Sequence, residues 1–554
     1  MPSFFQRRKR KDPAPEFELP FRRHRLFRRA TDATCEANKQ ASESRATIKD
    51  GLSVVESHSY DQAFPSSELD QLISRIQDYQ LTHGNVLKAI PSESVTRCNS
   101  TNLGTSALPT AFPRRQFEQA RRLQTSMNNL YLSVASNVEW LEAVIAPLLE
   151  HDGFIRTLWH IFRQVRDAGG GSHIVAGIFR SDYMLHLPTP SSERTASLKQ
   201  VEMNTFSCAG ACHAETVINM HRHLTKVADA GKPIGKKCLP SLAEATENTD
   251  GIVRTLQAAH EAYKTRPTNR QTCILMVVQP WNFNIADERP IEYGLWAGDV
   301  PCYRCEWPDV LSSTRLLDNG MLLYTPTTTS EVEIEVSVVY YRAGYDEAEY
   351  LTDVGRQSRL RLEMSKAIKC PDVLGHLAGI KRVQQALAEP DNVKKFLSQE
   401  QTKDVQAVFM SMQNLDSFTS ELEAGGKALD KNTVTDQVLK PNLEGGGHNY
   451  YGTEILDHLH RMPRREWCNF TIMQRIEPPP NLEGVLLLDE GVYQGPVVSE
   501  LGVLGGVVWR CGARGKLEVL RNEMAGASFK TKPKGVNQLN VVRGYGCFDC
   551  PRLD

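Results

Sequence analysis

The stretch Lys440-Pro441-Asn442-Leu443-Glu444-Gly445-Gly446-Gly447-His448-Asn449-Tyr450-Tyr451-Gly452 decides how the chain is read. Consecutive glycines remove the Cβ atoms that keep an anion away from backbone N–H groups, and they reach positive φ without steric cost. The run has the makings of a phosphate cradle. Lys440 leaves a strand-like run, Val434 to Leu439, as a point charge, and Glu444 brings a hard oxygen suited to Mg²⁺ held against the same phosphates. A flexible polar turn would carry the same glycines. Neither G-x-x-x-x-G-K-[ST] nor G-x-G-x-x-G after a strand is present, so spacing alone leaves the choice open.

The 554 residues suffice for two or three domains, and 40% hydrophobic with 24% charged residues is the composition of a globular chain. With 65 Lys and Arg against 66 Asp and Glu, no global field draws nucleic acid, and small-molecule partners are expected. No apolar run approaches the roughly 18 residues of a membrane span. Cys273 to Val278 and Gly502 to Trp509 suit buried strands instead. No secretory apolar region opens the chain, and 13 cysteines, an odd number irregularly spread, read as reduced thiols of a cytoplasmic protein. Cys302-x-x-Cys305 and Cys547-x-x-Cys550 lie much farther apart than the roughly 15–20 residues of a zinc ribbon.

The first 30 residues hold ten Lys or Arg against three acids, with prolines at 2, 13, 15 and 20, which predicts a disordered basic arm. Arg7 to Lys11 could serve as a nuclear address or an RNA contact, or be a solvated tail. Apolar residues at Leu123, Met127, Leu130, Val134, Val138, Leu141 and Ile145 form one helix face, ended or kinked by Pro147. Phe154, Leu158, Ile161, Phe162 and Val165 continue the period in a second helix.

Past Gly169 the pattern turns to short β-rich runs. Ile174 to Phe179 is followed by Arg180-Ser181-Asp182-Tyr183-Met184-Leu185 at the expected strand end, and Leu198 to Met203 leads into Glu202-Met203-Asn204-Thr205-Phe206-Ser207. Side chains two apart on a strand face the same way, so Glu202 and Asn204 could share one cation; the wet face of an edge strand would look the same. From Thr268 to about Ile368, strands alternate with helix, as in a small α/β layer domain. Gln279-Pro-Trp-Asn282-Phe-Asn284-Ile-Ala-Asp-Glu288 and Tyr341-Arg342-Ala-Gly-Tyr345 fall at strand ends, where such sheets bind ligands. Lys369 reads as the end of an amphipathic helix before a Cys-Pro break.

Taken together and in order from about residue 66, these strings resemble the eukaryotic-type glutathione synthetases of the ATP-grasp group. The glycine loop, the Arg-Ser-Asp-Tyr-Met run, Glu-x-Asn-Thr-x-Ser, Lys-Cys-Pro-Asp, Leu377-Ala-Gly-Ile-Lys-Arg-Val-Gln-Gln385 and Ser499-Glu500-Leu501-Gly502 all carry the likeness. The resemblance implies Mg²⁺, two ions per site, on Glu202, Asn204 and Glu444. It implies ATP contacts by Glu202, Lys369, Lys440, Glu444, Gly445, Gly446, Gly447, Asn449, Tyr451, Met473, Gln474, Arg475, Ile476, Glu500 and Lys532. It places γ-glutamylcysteine and glycine against Arg180, Phe206, Ser207, Asn282, Asn284, Glu288, Arg342, Tyr345, Lys530, Val541 and Val542. Arg180, Lys369 and Lys440 are the implied catalytic cations, and a homodimer is the implied assembly.

Departures from the family pattern are local. Cys208-Ala-Gly-Ala-Cys212 replaces a Ser-Phe-Gly-Gly type continuation, and Gln474 stands where an acid is usual. Lys530 stands where an arginine grips the glycine carboxylate, and a point charge cannot reproduce that fork. Val541, Val542 and Arg543 occupy a lid that usually carries alanines. The expected fold is mixed α/β: an ATP-grasp fold with antiparallel ATP-binding sheets, a helical N-terminal part and a small α/β substrate domain. The expected divisions are residues 1–66, 67–267, 268–370 and 371–554. The expected activity is ATP-driven ligation of γ-glutamylcysteine to glycine through an acyl phosphate. A ligase with another amine acceptor, or a weakened homologue using its basic arm for RNA or nuclear entry, are the alternatives.

Overall fold

The structure, a computed structural model, describes residues 66–89, 98–188, 196–229, 242–244, 246–265, 270–326, 332–442, 449–512 and 517–553. Residues 62–554 form one compact unit, and the basic arm lies outside the described residues.

The strands that position the site are β1 (Ile174–His186), β2 (Ser197–Asn204), β3 (Thr272–Val278), β4 (Ile334–Tyr341), β5 (Ile368–Cys370), β6 (Met412–Asn414), β7 (Gln437–Pro441), β8 (Tyr450–Tyr451), β9 (Phe470–Gln474), β10 (Gly491–Cys511) and β11 (Leu517–Pro533). Among the described residues a 13-stranded mixed sheet runs β11-β10-β1-β5-β4 through its centre, with β2 added beside β1 and β3 beside β4. β10 is antiparallel to β1 and β11, whereas β5 lies parallel to both β1 and β4. The stretch 268–370, expected as a separate domain, thus contributes β3, β4 and β5 to the same sheet as β1. A second, four-stranded antiparallel sheet is ordered β6-β9-β7-β8.

Strand parity explains why β1 reads as continuously apolar. Val175, Phe179 and Tyr183 point into one core with Met127, Leu130 and Val134, whereas Ile174, Ala176 and Ile178 point into the other with Ile252, Leu256 and Ala259. Each fully buried large apolar side chain there contributes about 1.5–3 kcal/mol. The helix Asn248–Lys264 lies close on β10, because a Cβ at Gly506 would sit 2.0 Å from Thr255 Oγ1. No helix among the described residues is long and apolar enough to cross a membrane.

Three expectations change. The long N-terminal helix is two, Arg114–Ser136 and Val138–Ile145, because Asn137 leaves helical geometry and its side chain accepts from Trp140 N. Arg180 to Leu185 is no strand end but the second half of β1, paired with β2 on one side and β10 on the other. Lys369 does not end a helix: the helix stops at Met364, and Lys369 sits on β5 between β4 and β1.

Candidate active site

The continuation of β1 beyond its apolar half carries the first cluster. Arg180 and Asp182 share the parity of Ile174, Ala176 and Ile178, and the register sets Arg180 opposite Asn204 and Asp182 opposite Glu202. Arg180 donates Nε to Asp182 Oδ1 at 2.7 Å, Nη2 to Oδ2 at 2.8 Å and Nη1 to the Ala209 carbonyl at 2.9 Å. Asn204 Nδ2 donates to Asp182 Oδ2 at 2.9 Å and to Glu202 Oε1 at 3.1 Å. The remaining Glu202 oxygen, Oε2, lies 3.0 Å from Lys381 Nζ.

Lys440 reaches the same place from the other sheet, donating to the Val201 carbonyl at 2.7 Å. Burial alone would raise the Glu202 carboxyl, but Lys381, Lys440 and Arg180 hold it well below the usual carboxylate range. Burial pushes Lys440 down to about 8 against the opposing pull of Glu202. Lys532 on β11, likewise depressed by burial to about 8, donates to the Asn537 carbonyl, which also accepts from Tyr451 on β8. Arg475 lies over the Tyr451 ring at 5.9 Å. Glu500 and Lys530, registered partners on β10 and β11, form an ion pair of 2.7 Å.

A second cluster stands at the ends of β3 and β4. Arg342 donates Nη2 to Asp287 Oδ2 at 2.8 Å, and its buried Nη1 makes no hydrogen bond to the described residues. Asp287 also accepts from the N–H groups of Gly210 and Cys212 at the start of the helix Ala211–Asp229, at 2.8 and 3.0 Å. Glu288 pairs with Arg304 at 2.7 Å and accepts from Asn282, while Asn284 Oδ1 contacts His213 Nε2 at 2.8 Å. The Ala209–Gly210 peptide links the clusters, its carbonyl held by Arg180 and its following N–H by Asp287.

The structure therefore gathers Arg180, Glu202, Asn204 and Lys440 in one cluster and Asn282, Asn284, Glu288 and Arg342 in the other. Ser207 is held at φ 49, in the left-handed region. Tyr345 is half-buried beside Glu349, whose carboxylate accepts its N–H. Met473 and Ile476 pack with Met410 against Met184 and Val201, an apolar floor, whereas Gln474 and Arg475 are exposed. Val541 and Val542 begin a short 3₁₀ turn near the C terminus.

Two expected residues are buried. Lys369, 2% exposed, donates to the carbonyls of Glu363 and Ser365, and it is Lys381 that reaches Glu202. Phe206, 3% exposed, is core: it stacks on His376 at 3.8 Å and lies under the Arg359 guanidinium. Glu444, Gly445, Gly446 and Gly447 fall outside the described residues. Their flanks are described, since β7 and β8 pair antiparallel on either side of that loop. Sequence reading passed over Asp182, Lys381 and Asp287. Asp182 could have been found by carrying strand alternation past Phe179.

The donor chemistry suits magnesium. Among the described residues no group of three His, Cys, Asp or Glu side chains gathers for a metal. Mg²⁺ asks for less, being held through one or two carboxylates with phosphates and water completing its shell. Lys381, Lys440 and Arg180 hold the Glu202 carboxyl well below the usual carboxylate range, and the Lys381 Nζ 3.0 Å from its Oε2 stands where a cation can be placed.

The family model for the eukaryotic glutathione synthase ATP-binding domain matches residues 66–553 of this chain. The glutathione synthetase large chain of Schizosaccharomyces pombe is 30% identical over 496 residues, 87% of this chain and 97% of that protein. The glutathione synthetases of Bos taurus and Homo sapiens are 30% and 29% identical, each again covering 87% of this chain and 97% of the relative. The solved apo structure of a glutathione synthetase-like effector from Globodera pallida superposes with a TM-score of 0.66 at 20% identity, covering 89% of this chain and 98% of that one. That likeness bears on the fold.

Proposed function

Since the chain belongs to the eukaryotic glutathione synthase family, we propose that it joins γ-glutamylcysteine to glycine at the expense of ATP, through an acyl phosphate, to form glutathione. The observation that carries this reading is the meeting of Glu202, Asn204, Lys381 and Lys440, drawn from two sheets and one helix, around the Glu202 carboxyl.

Lys440 and Lys381 neutralise phosphate charge, as does Lys532 from β11. Arg180, fixed by Asp182, offers its guanidinium to the carboxylate that is phosphorylated, and Arg342 keeps Nη1 for a carboxylate of the dipeptide. The base rests on the apolar floor of Met473 and Ile476. Glu202, Asn204 and Glu444 would hold magnesium, which when bound would supply positive charge against the phosphates. Val541 and Val542, in the C-terminal turn, help to exclude water from the acyl phosphate. The enzyme acts as a cytoplasmic homodimer, a state that sedimentation of the purified chain tests.

A second reading changes only the acceptor. Lys530 is already committed to Glu500 at 2.7 Å, which leaves it less charge for an acceptor carboxylate. ADP release with γ-glutamylcysteine and, in turn, glycine, β-alanine and serine decides between them. Glycine should give the highest kcat/KM; preference for another amine would move the chain to a ligase of different acceptor, and release with none would overturn both.

The depressed lysines give a pH dependence. Their ammonium groups lose charge as pH rises through about 8, while the nucleotide keeps its own. The KM for ATP should rise by about tenfold between about pH 7.5 and 9.5, and a flat profile across that range would contradict the phosphate roles of Lys440 and Lys532.

A further inference from the structure

Asp182 is 1% exposed in the middle of β1, and its carboxylate touches both halves of the first cluster. It takes the Arg180 fork with both oxygens, and Oδ2 accepts a third hydrogen bond, from Asn204. The Asn204 amide therefore gives one N–H to Asp182 and the other to Glu202. Turning that amide over would set its carbonyl oxygen against two carboxylate oxygens, exchanging two charge-assisted hydrogen bonds for two repulsions. The contact with Asp182 thus holds Asn204 Oδ1 turned away from both carboxylates, available to an outside cation. Room for this arrangement comes from Gly502 on β10, opposite Asp182, where a Cβ would stand 2.8 Å from Asp182 Oδ1 and 3.0 Å from Arg180 Cδ.

We propose that Asp182 is a positioning residue that presets Asn204 as an oxygen ligand for the divalent cation and Arg180 as a fixed guanidinium donor. The inference rests on the magnesium reading of Glu202 and Asn204. A carboxylate acting through a ligand in this way is worth about 10–100-fold in metal affinity.

The test measures Mn²⁺ binding to the full chain by electron paramagnetic resonance, with a non-hydrolysable ATP analogue present, for wild type, Asp182→Asn, Asp182→Glu and Glu202→Gln. Asp182→Asn should weaken Mn²⁺ binding by about 10–100-fold, with metal-free analogue affinity unchanged and partial recovery in Asp182→Glu. A purely structural role would lower the melting temperature of Asp182→Asn but leave the Mn²⁺ affinity of the folded protein at the wild-type value, which would overturn the inference. If Asp182→Asn does not fold, Gly502→Ala, which presses on the same carboxylate, takes its place: weaker Mn²⁺ binding supports the inference and unchanged binding overturns it. Wild-type Mn²⁺ affinity in Glu202→Gln would instead overturn the magnesium reading beneath it.

Discussion

Glu202→Gln is expected to lower kcat/KM by about 10²–10³-fold, a loss of ~3–4 kcal/mol of transition-state stabilisation. The side chain is only partly exposed and faces Lys381 at 3.0 Å, with Lys440 and Arg180 also lowering its carboxyl. Glutamine keeps the shape, and its carbonyl can still accept from Asn204, so the β1–β2 ladder should persist. What disappears is the negative charge. Two ammonium groups then stand together without their counter-charge, an arrangement that ATP phosphates relieve. Metal-free ATP should therefore bind Glu202→Gln at least as tightly as wild type while turnover collapses. Such a split separates loss of a cation ligand from general damage, which would weaken both. Undiminished turnover at saturating Mg²⁺ would remove Glu202 from the site.

How much of this could be read from the chain depended on whether a residue's neighbours were local. Glu202 and Asn204 were legible because alternation on one short strand puts them on one face. Asp182 needed that alternation carried past Phe179 into a polar run, Arg180 to Leu185, which pairs with β2 and, some three hundred residues downstream, with β10. Lys381 was passed over because nothing local marks it. Lys369 and Lys381 both follow apolar positions near a turn, but β5, between β4 and β1, sets Lys369 against backbone carbonyls, whereas Lys381 opens the second helix after β5 and reaches Glu202 on β2.

The second large effect concerns stability. Arg342→Met should destabilise the compact unit by ~3–5 kcal/mol, because removing one partner of a buried pair leaves the other charge uncompensated. The side chains of Arg342 and Asp287 are 3% and 0% exposed, so solvent cannot take over for the lost guanidinium. Glu288 is the lesser casualty: it stands 3.6 Å from Arg342 Nε and keeps Arg304 at 2.7 Å. The consequence should spread along the chain, since Asp287 also holds the Gly210 and Cys212 N–H groups that begin the helix Ala211–Asp229. Adding Asp287→Asn to Arg342→Met removes the stranded charge while leaving an amide oxygen for one of those N–H groups. The double variant should then be less destabilised than the sum of the single ones, a coupling that urea denaturation of all four proteins measures. Arg342→Met with the wild-type urea midpoint, or strict additivity in the cycle, would mean that the pair carries no such charge balance and that Arg342 serves the dipeptide alone.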